Sequence, residues 1–242
     1  MFTVFKREIS SFLSSLIAYI VIVVFLLVTG LFMWVFPDYS LLDFGYASLD
    51  QLFIIGPWVF MFLIPAITMR FFSEEKRTGT IELLFTKPVT DTQIILGKFF
   101  AGFALVVFSV LPTLLYAVTL WFLADPVGNI DTGGIIGSYI GLLLLGAVFV
   151  SIGLFASALT DNQIVAFILG LFLCFFFYSA FDSLKLFDLP VKVQMVLEQL
   201  GISAHFYAMS KGVLDSRDLI YFGSVIALFV ALTKTVLESR KW

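Results

Sequence analysis

Six long apolar stretches separated by polar segments form the main pattern along the chain. A transmembrane helix needs about 20 mostly apolar residues, and each stretch is about that long and almost free of charge. The stretches run from Leu16 to Phe36, Leu52 to Phe72, Phe99 to Leu123, Gly134 to Leu159, Ile164 to Phe181 and Leu219 to Leu237. The pattern predicts an all-α polytopic membrane protein with six transmembrane helices, forming a single domain over residues 1–242.

The start of the chain, before the first stretch, has an amphipathic pattern. Phe2, Phe5 and Ile9 recur at helical spacing, and Lys6 and Arg7 lie largely on the other side. This pattern predicts a helix that lies in the inner membrane interface, with its apolar face towards the acyl chains. The alternative is that these residues simply extend the first span.

The polar segment from Ser73 to Lys98, between the second and third stretches, contains several helix signals. Gly79 interrupts the helix, and a short segment follows that ends at Pro88. Thr90 and Gln93 then form a capping-box pattern at the start of the third span. Thr80 can cap the short segment, and its apolar residues share one face. The signals predict a short amphipathic helix held between two spans.

This short helix and the charges before it have two interpretations. A helix fixed to two spans can bind a partner protein and transmit its movement to the spans. The alternative is an ordinary solvent-exposed connector with charged residues at its edge. The residues that we assign to the docking interpretation are Glu74, Glu75, Lys76, Arg77, Thr80, Ile81, Glu82, Leu84 and Phe85.

A second amphipathic segment precedes the last stretch. Pro190 can begin a helix and Gly201 can end it. The apolar positions between them repeat at helical spacing and are Val193, Val196, Leu197 and Leu200. They predict a helix at the outer membrane interface. His205 follows, and because no second ligand lies near it in sequence, we expect a hydrogen-bonded or interfacial histidine rather than a metal ligand.

Composition supports the membrane interpretation. The chain is 61% hydrophobic and 13% charged, whereas soluble domains carry about 25% charged residues. The basic residues also fix an orientation: with both termini in the cytoplasm, ten of the 14 Lys and Arg residues face inwards. The other four all lie in one long external loop, so this topology follows the positive-inside rule. We expect a multi-pass protein of a bacterial inner membrane.

Several kinds of chemistry have no signal in the sequence. There is no nucleotide-binding glycine loop, since Phe99 follows Gly97 and Lys98 where a Ser or Thr is required. The sequence also contains no recognisable set of catalytic residues, no set of metal ligands and no basic surface for nucleic acid. The apolar stretches carry no ionisable residue at mid-depth, which disfavours an ion-coupled carrier or a channel. We therefore expect a non-enzymatic protein that depends on an external energy source.

Two motifs carry a family resemblance. The stretch EEKRTGTIELLFTKPVTDTQIILGK, and His205-Phe206 followed later by GVLDSRDLIYF, resemble the type-2 family of ABC transporter permeases. The six-span pattern and the N-terminal helix are similar too. Within that family the chain looks most like the gliding-motility-associated permease subunit of Bacteroidetes.

The resemblance implies a function and a set of partners. The segment Thr80 to Phe85 would be the coupling helix that docks on a separate ATPase subunit, which binds ATP and Mg. The segment Phe2 to Leu13 would be the connecting helix, and the helix from Pro190 to Leu200 would be re-entrant. A second, non-identical permease would complete the pathway in the lipid bilayer, for export or for work on envelope machinery. A scaffold or force-transmitting anchor without a substrate is the alternative.

Overall fold

A computed structural model describes residues 1–37, 39–41, 47–85, 90–184 and 190–239, without the side chains of residues 83–85, 191 and 195–198. The described residues form helices joined by turns, and no strand occurs among them. The helices are α1 (Phe2–Leu13), α2 (Leu16–Trp34), α3 (Asp50–Thr68), α4 (Arg70–Arg77), α5 (Thr80–Phe85), α6 (Asp91–Val110), α7 (Leu114–Leu123), α8 (Thr132–Leu159), α9 (Gln163–Phe175), α10 (Phe181–Leu184), α11 (Val191–Leu200), α12 (Ile202–Ser210) and α13 (Ser216–Glu238).

Six of these segments are long and apolar enough to cross a membrane, which confirms the predicted all-α polytopic fold. They are Leu16–Trp34, Asp50–Arg77, Asp91–Leu123, Thr132–Leu159, Gln163–Leu184 and Ser216–Glu238. Three of the six are composite. α3 continues into α4 through Met69, a 3-10 turn over Leu111–Thr113 joins α6 to α7, and a π-helical turn over Phe176–Ala180 joins α9 to α10.

The third span extends well beyond the apolar run that predicted it. Its helix begins at Asp91, where Thr90 and Gln93 form the predicted capping box, whereas the apolar run begins at Phe99. The 33 residues of Asp91–Leu123 would measure about 50 Å as a straight helix, against about 30 Å for the hydrocarbon core. Part of α6 therefore lies outside the hydrocarbon, and Lys98 lies inside the helix rather than ahead of it.

α8 is the central helix of the bundle, and 78% of its most apolar 18-residue stretch is buried inside the protein. α3, α6, α9, α12 and α13 all pack against it. The closest approach is at Gly153, where an added Cβ would overlap Thr68 Oγ1 and lie 2.9 Å from Thr68 Cβ. Small residues allow helices in membranes to approach in this way.

α8 and α9 form an antiparallel pair, as the four polar residues from Thr160 to Gln163 between the fourth and fifth apolar stretches predict. α8 ends at Leu159, and Asn162 caps α9 by accepting a hydrogen bond from Ile164 N at 2.9 Å. The turn lies at the same end of the bundle as α5, because two antiparallel spans, Asp91–Leu123 and Thr132–Leu159, lie between α5 and the turn along the chain.

α1 is a separate helix and does not extend the first span. Ser15 has extended backbone angles and its side chain caps α2, so the chain turns sharply between the two helices. α1 lies along α6, where an added Cβ on Gly97 would be 2.9 Å from Val4 Cβ. Much of the apolar face of α1 therefore contacts the protein's own core, although Phe2 remains 75% exposed.

Candidate functional site

The residues assigned to partner docking lie on α4 and α5, at one end of the bundle. α4 continues the second span outwards and carries Glu74, Glu75, Lys76 and Arg77. α5 follows after Gly79, whose φ of 71° is in the left-handed region that favours glycine. The turn therefore ends α4 and holds the start of α5 against it, where Thr80 Oγ1 donates a hydrogen bond to Glu75 O at 3.4 Å.

A network of four charged side chains joins α1, α4 and α6. Lys98 Nζ lies 2.9 Å from Glu75 Oε1 and 3.1 Å from Glu8 Oε1. Arg7 Nη2 lies 2.6 Å from both Glu75 Oε1 and Glu8 Oε1. Three helices that are distant in sequence are thus held together by ion pairs, which we call the charge cluster.

Lys98 is the buried centre of the charge cluster, with its side chain only 1% exposed. Its ammonium group also lies over the rings of Phe71 and Phe72, at 5.8 Å and 5.2 Å from their centroids. A buried cation needs such partners because transfer from water is otherwise very costly. The position of α4 relative to α6 is therefore tied to the presence of Glu75 and these rings.

The pKa values of Arg7 and Glu8, the two α1 residues in the charge cluster, reflect its electrostatics. Burial by itself would raise the pKa of Glu8, but the charges and hydrogen bonds of Lys98 and Arg7 outweigh it and lower that pKa below its ordinary value. For Arg7, burial alone would lower the pKa, yet hydrogen bonds and attraction from Glu8 and Glu75 raise it. Both side chains are therefore held in their charged forms.

A second set of contacts attaches α4 to the end of α8. Ser157 Oγ accepts hydrogen bonds from Phe72 N at 2.8 Å and Ser73 N at 3.2 Å, and it donates one to Met69 O at 3.2 Å. These are backbone groups at the junction of α3 and α4. Lys76 Nζ also donates to Ala158 O, near the end of α8. Movement of α4 would therefore move α8.

The exposed surface of α5 is defined in part. Thr80 and Glu82 are exposed, whereas Ile81 is half-buried and packs against the protein's own core. The backbone of Leu84 and Phe85 continues the helix, but their side chains lie outside the described residues. The apolar face predicted for α5 is thus partly occupied by the protein itself, and Glu82 is the charged residue that it presents.

Two clefts flank these helices. One of about 320 Å³ lies between α1, α4 and α6 and includes the charge cluster. The other, of about 530 Å³, lies between Arg77 at the end of α4 and the turn between α8 and α9, where Asp161, Asn162 and Gln163 line it. Both open at the same end of the bundle, so this end presents polar recesses on each side of α4.

The opposite end of the bundle is held by His205, as a hydrogen-bonded histidine. Its Nδ1 lies 2.6 Å from Asp218 Oδ1 on α13, and its Nε2 lies 3.0 Å from Gln199 O on α11. The imidazole ring also stacks on Tyr221 with a centroid distance of 3.9 Å. These contacts tie α11, α12 and α13 together.

α11 and α1 contain the other assigned residues. α11 forms where it was predicted, with Val193 and Leu200 exposed, but the side chains of Val196 and Leu197 lie outside the described residues. On α1, Phe2, Lys6 and Arg7 are exposed or half-exposed, while Phe5 and Ile9 pack against the core.

Sequence reasoning missed three residues that build the site, namely Glu8, Lys98 and Ser157. Lys98 was counted only as a loop cation, because the third span was started at Phe99. A capped helix that begins at Asp91 places Lys98 two turns inside it, and that was the available signal. Glu8 and Ser157 gave no signal, since their partners are 90 and 85 residues away.

Comparison with protein families gives a match over the middle of the chain. A family model described as ABC-2 family transporter protein matches residues 43–194. That range is more than half of the chain and runs from before α3 into α11. No curated protein sequence matches the chain.

Proposed function

This chain belongs to the ABC-2 family of transporter proteins, and from that premise we propose how it works as the membrane permease of an ABC transporter. A separate ATPase subunit binds and hydrolyses ATP with Mg and docks on α5. The permease itself is not the ATPase. Its task is to convert movement of the docked subunit into movement of the spans.

The attachment of α4 is the observation that carries this proposal. α5 is joined directly to α4, and α4 is bound to α8 through Ser157 and to α1 and α6 through the charge cluster. α8 is the helix against which most of the others pack. A push on α5 would therefore reach the centre of the bundle through hydrogen bonds and ion pairs rather than through a loose loop.

The docking surface in this proposal is the exposed side of α4 and α5, assigned to Arg77, Thr80 and Glu82 with the apolar edge of α5. Glu74 is only half-exposed and lines the cleft beside the charge cluster, so it is not part of this surface. Glu75 and Lys76 have a different task here, since both already bind the permease's own helices. They hold α4 in place while the exposed residues meet the partner.

The orientation follows from the charges. With α5 in the cytoplasm, both termini are cytoplasmic and the basic residues follow the positive-inside rule. The protein then lies in a bacterial inner membrane with α11 and α12 on the outer side. α1 lies at the inner interface, where the exposed Phe2 can enter the acyl region.

A second permease completes the transporter in this proposal. The outer spans leave large faces available, since the spans Ser216–Glu238 and Gln163–Leu184 are only 17% and 22% buried within the chain. Lipid covers part of these faces and a second, non-identical permease covers another part. The resemblance to the gliding-motility type favours export or work on envelope machinery as the task.

Charge reversal at Glu82 tests the docking surface. We expect Glu82→Arg to abolish co-purification of the ATPase and the stimulation of ATP hydrolysis by the permease, while the permease still folds. Asp125→Arg makes the same change at an exposed position at the other end of the bundle, and it should leave both measurements unchanged.

Two results would contradict docking of an ATPase on α5. If the permease purified with its genetic neighbours contains no ATPase, or if Glu82→Arg and Ile81→Asp both leave ATP hydrolysis unaffected, then α5 is not the docking helix. Ile81→Asp is included because the ATPase could still bind after the loss of one surface charge. A carboxylate at the half-buried position 81 would displace α5 from the bundle.

A further inference from the structure

The cleft beside the charge cluster has more polar groups than the cluster uses. Its volume is about 320 Å³, and its walls come from α1, the corner between α1 and α2, α4 and α6. Arg70 and Glu74, one turn apart on α4, both line it. Neither side chain makes an ion pair or a hydrogen bond with any other described residue. The cleft therefore offers one unused cation and one unused anion.

Two atoms of this cleft are buried without a partner. Arg70 Nε is a donor and Glu75 Oε2 is an acceptor, and both are shielded from solvent in the folded chain. Buried polar groups in proteins are almost always hydrogen-bonded, because an unpaired one carries its full desolvation cost. The cleft wall therefore carries a donor and an acceptor that no described residue satisfies, and a polar occupant beside them would lower their desolvation cost.

From these groups we propose that the cleft binds the headgroup of a zwitterionic aminophospholipid of the phosphatidylethanolamine class. The phosphate would accept hydrogen bonds from Arg70, since a guanidinium group suits phosphate geometry. The primary ammonium group would donate to Glu74. All six charges of the cleft then have a partner.

The apolar surroundings favour a lipid over a soluble ligand. Phe12, Ile17 and Phe71 form part of the cleft wall. Next to it, at the corner between α1 and α2, Leu13, Leu16 and Ile20 are 48%, 73% and 48% exposed. Exposed apolar side chains thus lie next to the polar cleft and at the start of the first span, where acyl chains can lie.

The charge balance favours a zwitterion over an anionic lipid. The cleft contains three cations, Arg7, Arg70 and Lys98, and three anions, Glu8, Glu74 and Glu75. Its formal charge is therefore zero, and an anionic headgroup without an ammonium group would leave Glu74 unpaired. This site is separate from the docking of the ATPase, so it can be tested on the permease alone.

Native mass spectrometry of the full-length permease tests the proposal. The protein is purified in detergent with equal amounts of phosphatidylethanolamine, phosphatidylcholine and phosphatidylglycerol, and the retained lipids are counted. We expect the unchanged protein to retain one phosphatidylethanolamine molecule. Arg70→Gln should retain about tenfold less of this lipid, because it removes charged hydrogen bonds to the phosphate. Arg70→Lys should lose less binding than Arg70→Gln but still bind more weakly than the unchanged protein, because it keeps the cation and loses the guanidinium geometry.

Two further variants sharpen the test. Arg77→Gln removes a cation from the same helix outside this cleft, and it should bind the lipid as the unchanged protein does. Glu74→Gln should reduce the preference for phosphatidylethanolamine over phosphatidylcholine, since only the former has N–H donors for a carboxylate. Thermal unfolding of each variant shows whether it is folded, and Arg70→Lys and Glu74→Gln keep the test decisive if Arg70→Gln unfolds.

Several results would overturn the proposal. One is equal retention of all three lipids by the unchanged protein, and another is retention that does not respond to Arg70→Gln. Displacement of the lipid by millimolar inorganic phosphate would show a free-anion site instead. Cross-linking of Arg70 to the ATPase in a lipid-free complex would make the cleft part of the protein interface.

Discussion

At the residue scale, Lys98 shows how the permease keeps a full charge out of water. Its two carboxylate partners come from different helices, so the ion pairs hold α1 and α4 to α6. Removal of one partner from a buried ion pair costs more than the pair contributes, because the remaining charges stay buried. The cluster therefore fixes a geometry, whatever its net effect on stability.

We expect Lys98→Met to destabilise the protein by about 3 kcal/mol, because it leaves Glu8 and Glu75 without their buried cation while it preserves side-chain length. The measurement is thermal unfolding in detergent. Lys6→Met changes an exposed cation on the same end and should shift stability by less than about 0.5 kcal/mol. The double variant Lys98→Met/Glu75→Gln should recover part of the loss. No recovery would contradict the assigned pairing.

The lowered pKa of Glu8 predicts a pH dependence. A carboxyl group whose pKa is lower in the folded state stabilises the fold above its unfolded pKa of about 4.5. That contribution is lost as the pH falls through the still lower folded pKa. The unchanged protein should therefore be more stable than Glu8→Gln near neutral pH, and the difference should shrink as the pH falls below about 4.5.

Thermal unfolding of both proteins across this pH range measures the effect. Glu82→Gln alters an exposed carboxyl group on α5 and serves as the control, with a small difference at every pH. If the stability difference between the unchanged protein and Glu8→Gln increased as the pH fell, the pH dependence would have the opposite sign. That result would refute a lowered pKa for Glu8 in the folded state.

At the element scale, the approach of α8 to α3 decides where α4 leaves the bundle. Gly153 allows Thr68 to contact the α8 backbone directly, and Ser157, one turn later, binds the junction between α3 and α4. The two contacts lie on one side of α8. A change in the separation of these helices would therefore alter the direction of α4, and with it the position of α5.

We expect Gly153→Ala to destabilise the protein by about 1–3 kcal/mol, because the added methyl group would overlap Thr68 and the tight crossing cannot expand freely. Gly223→Ala is the matched control, since an added Cβ there meets nothing within 4 Å. That change should be neutral or slightly stabilising in the middle of α13. Equal effects of both variants in thermal unfolding would exclude close packing at Gly153 as the cause.

At the scale of the whole molecule, the two ends of the bundle are built differently. The end with α5 is joined by ion pairs and by hydrogen bonds to backbone groups. At the other end, His205 and Tyr221 tie α11 and α12 to the last span. The permease function requires the first end to face the ATPase, so orientation is the property on which the whole assignment depends.

Labelling of single cysteines measures this orientation. We expect a membrane-impermeant maleimide to label Asn129→Cys in intact cells, because Asn129 is exposed in the loop before α8. Glu82→Cys should react only after the membrane is permeabilised. The native Cys174 is fully buried and should stay unlabelled in both conditions. Labelling of Glu82→Cys from outside would invert the topology and exclude cytoplasmic coupling.

The sequence alone determined the class of fold and the order of its elements. Apolar runs of membrane length require helices, because only internally paired backbone is stable in a bilayer. The capping box at Thr90 and the turn before Asn162 are equally local, and both formed where they were predicted. The length of the third helix was underestimated, since hydropathy detects only the part inside the hydrocarbon.

The tertiary structure alone decided which polar residues meet. The charge cluster joins residues 68 and 90 positions apart, and the Ser157 contacts bridge 85 and 84 positions. Hydrophobic periodicity reports the environment of a position but not its partner, so no pattern along the chain could pair Glu8 with Lys98. Helix packing brings these side chains together, and their pairing in turn holds α4, where the permease would receive its input.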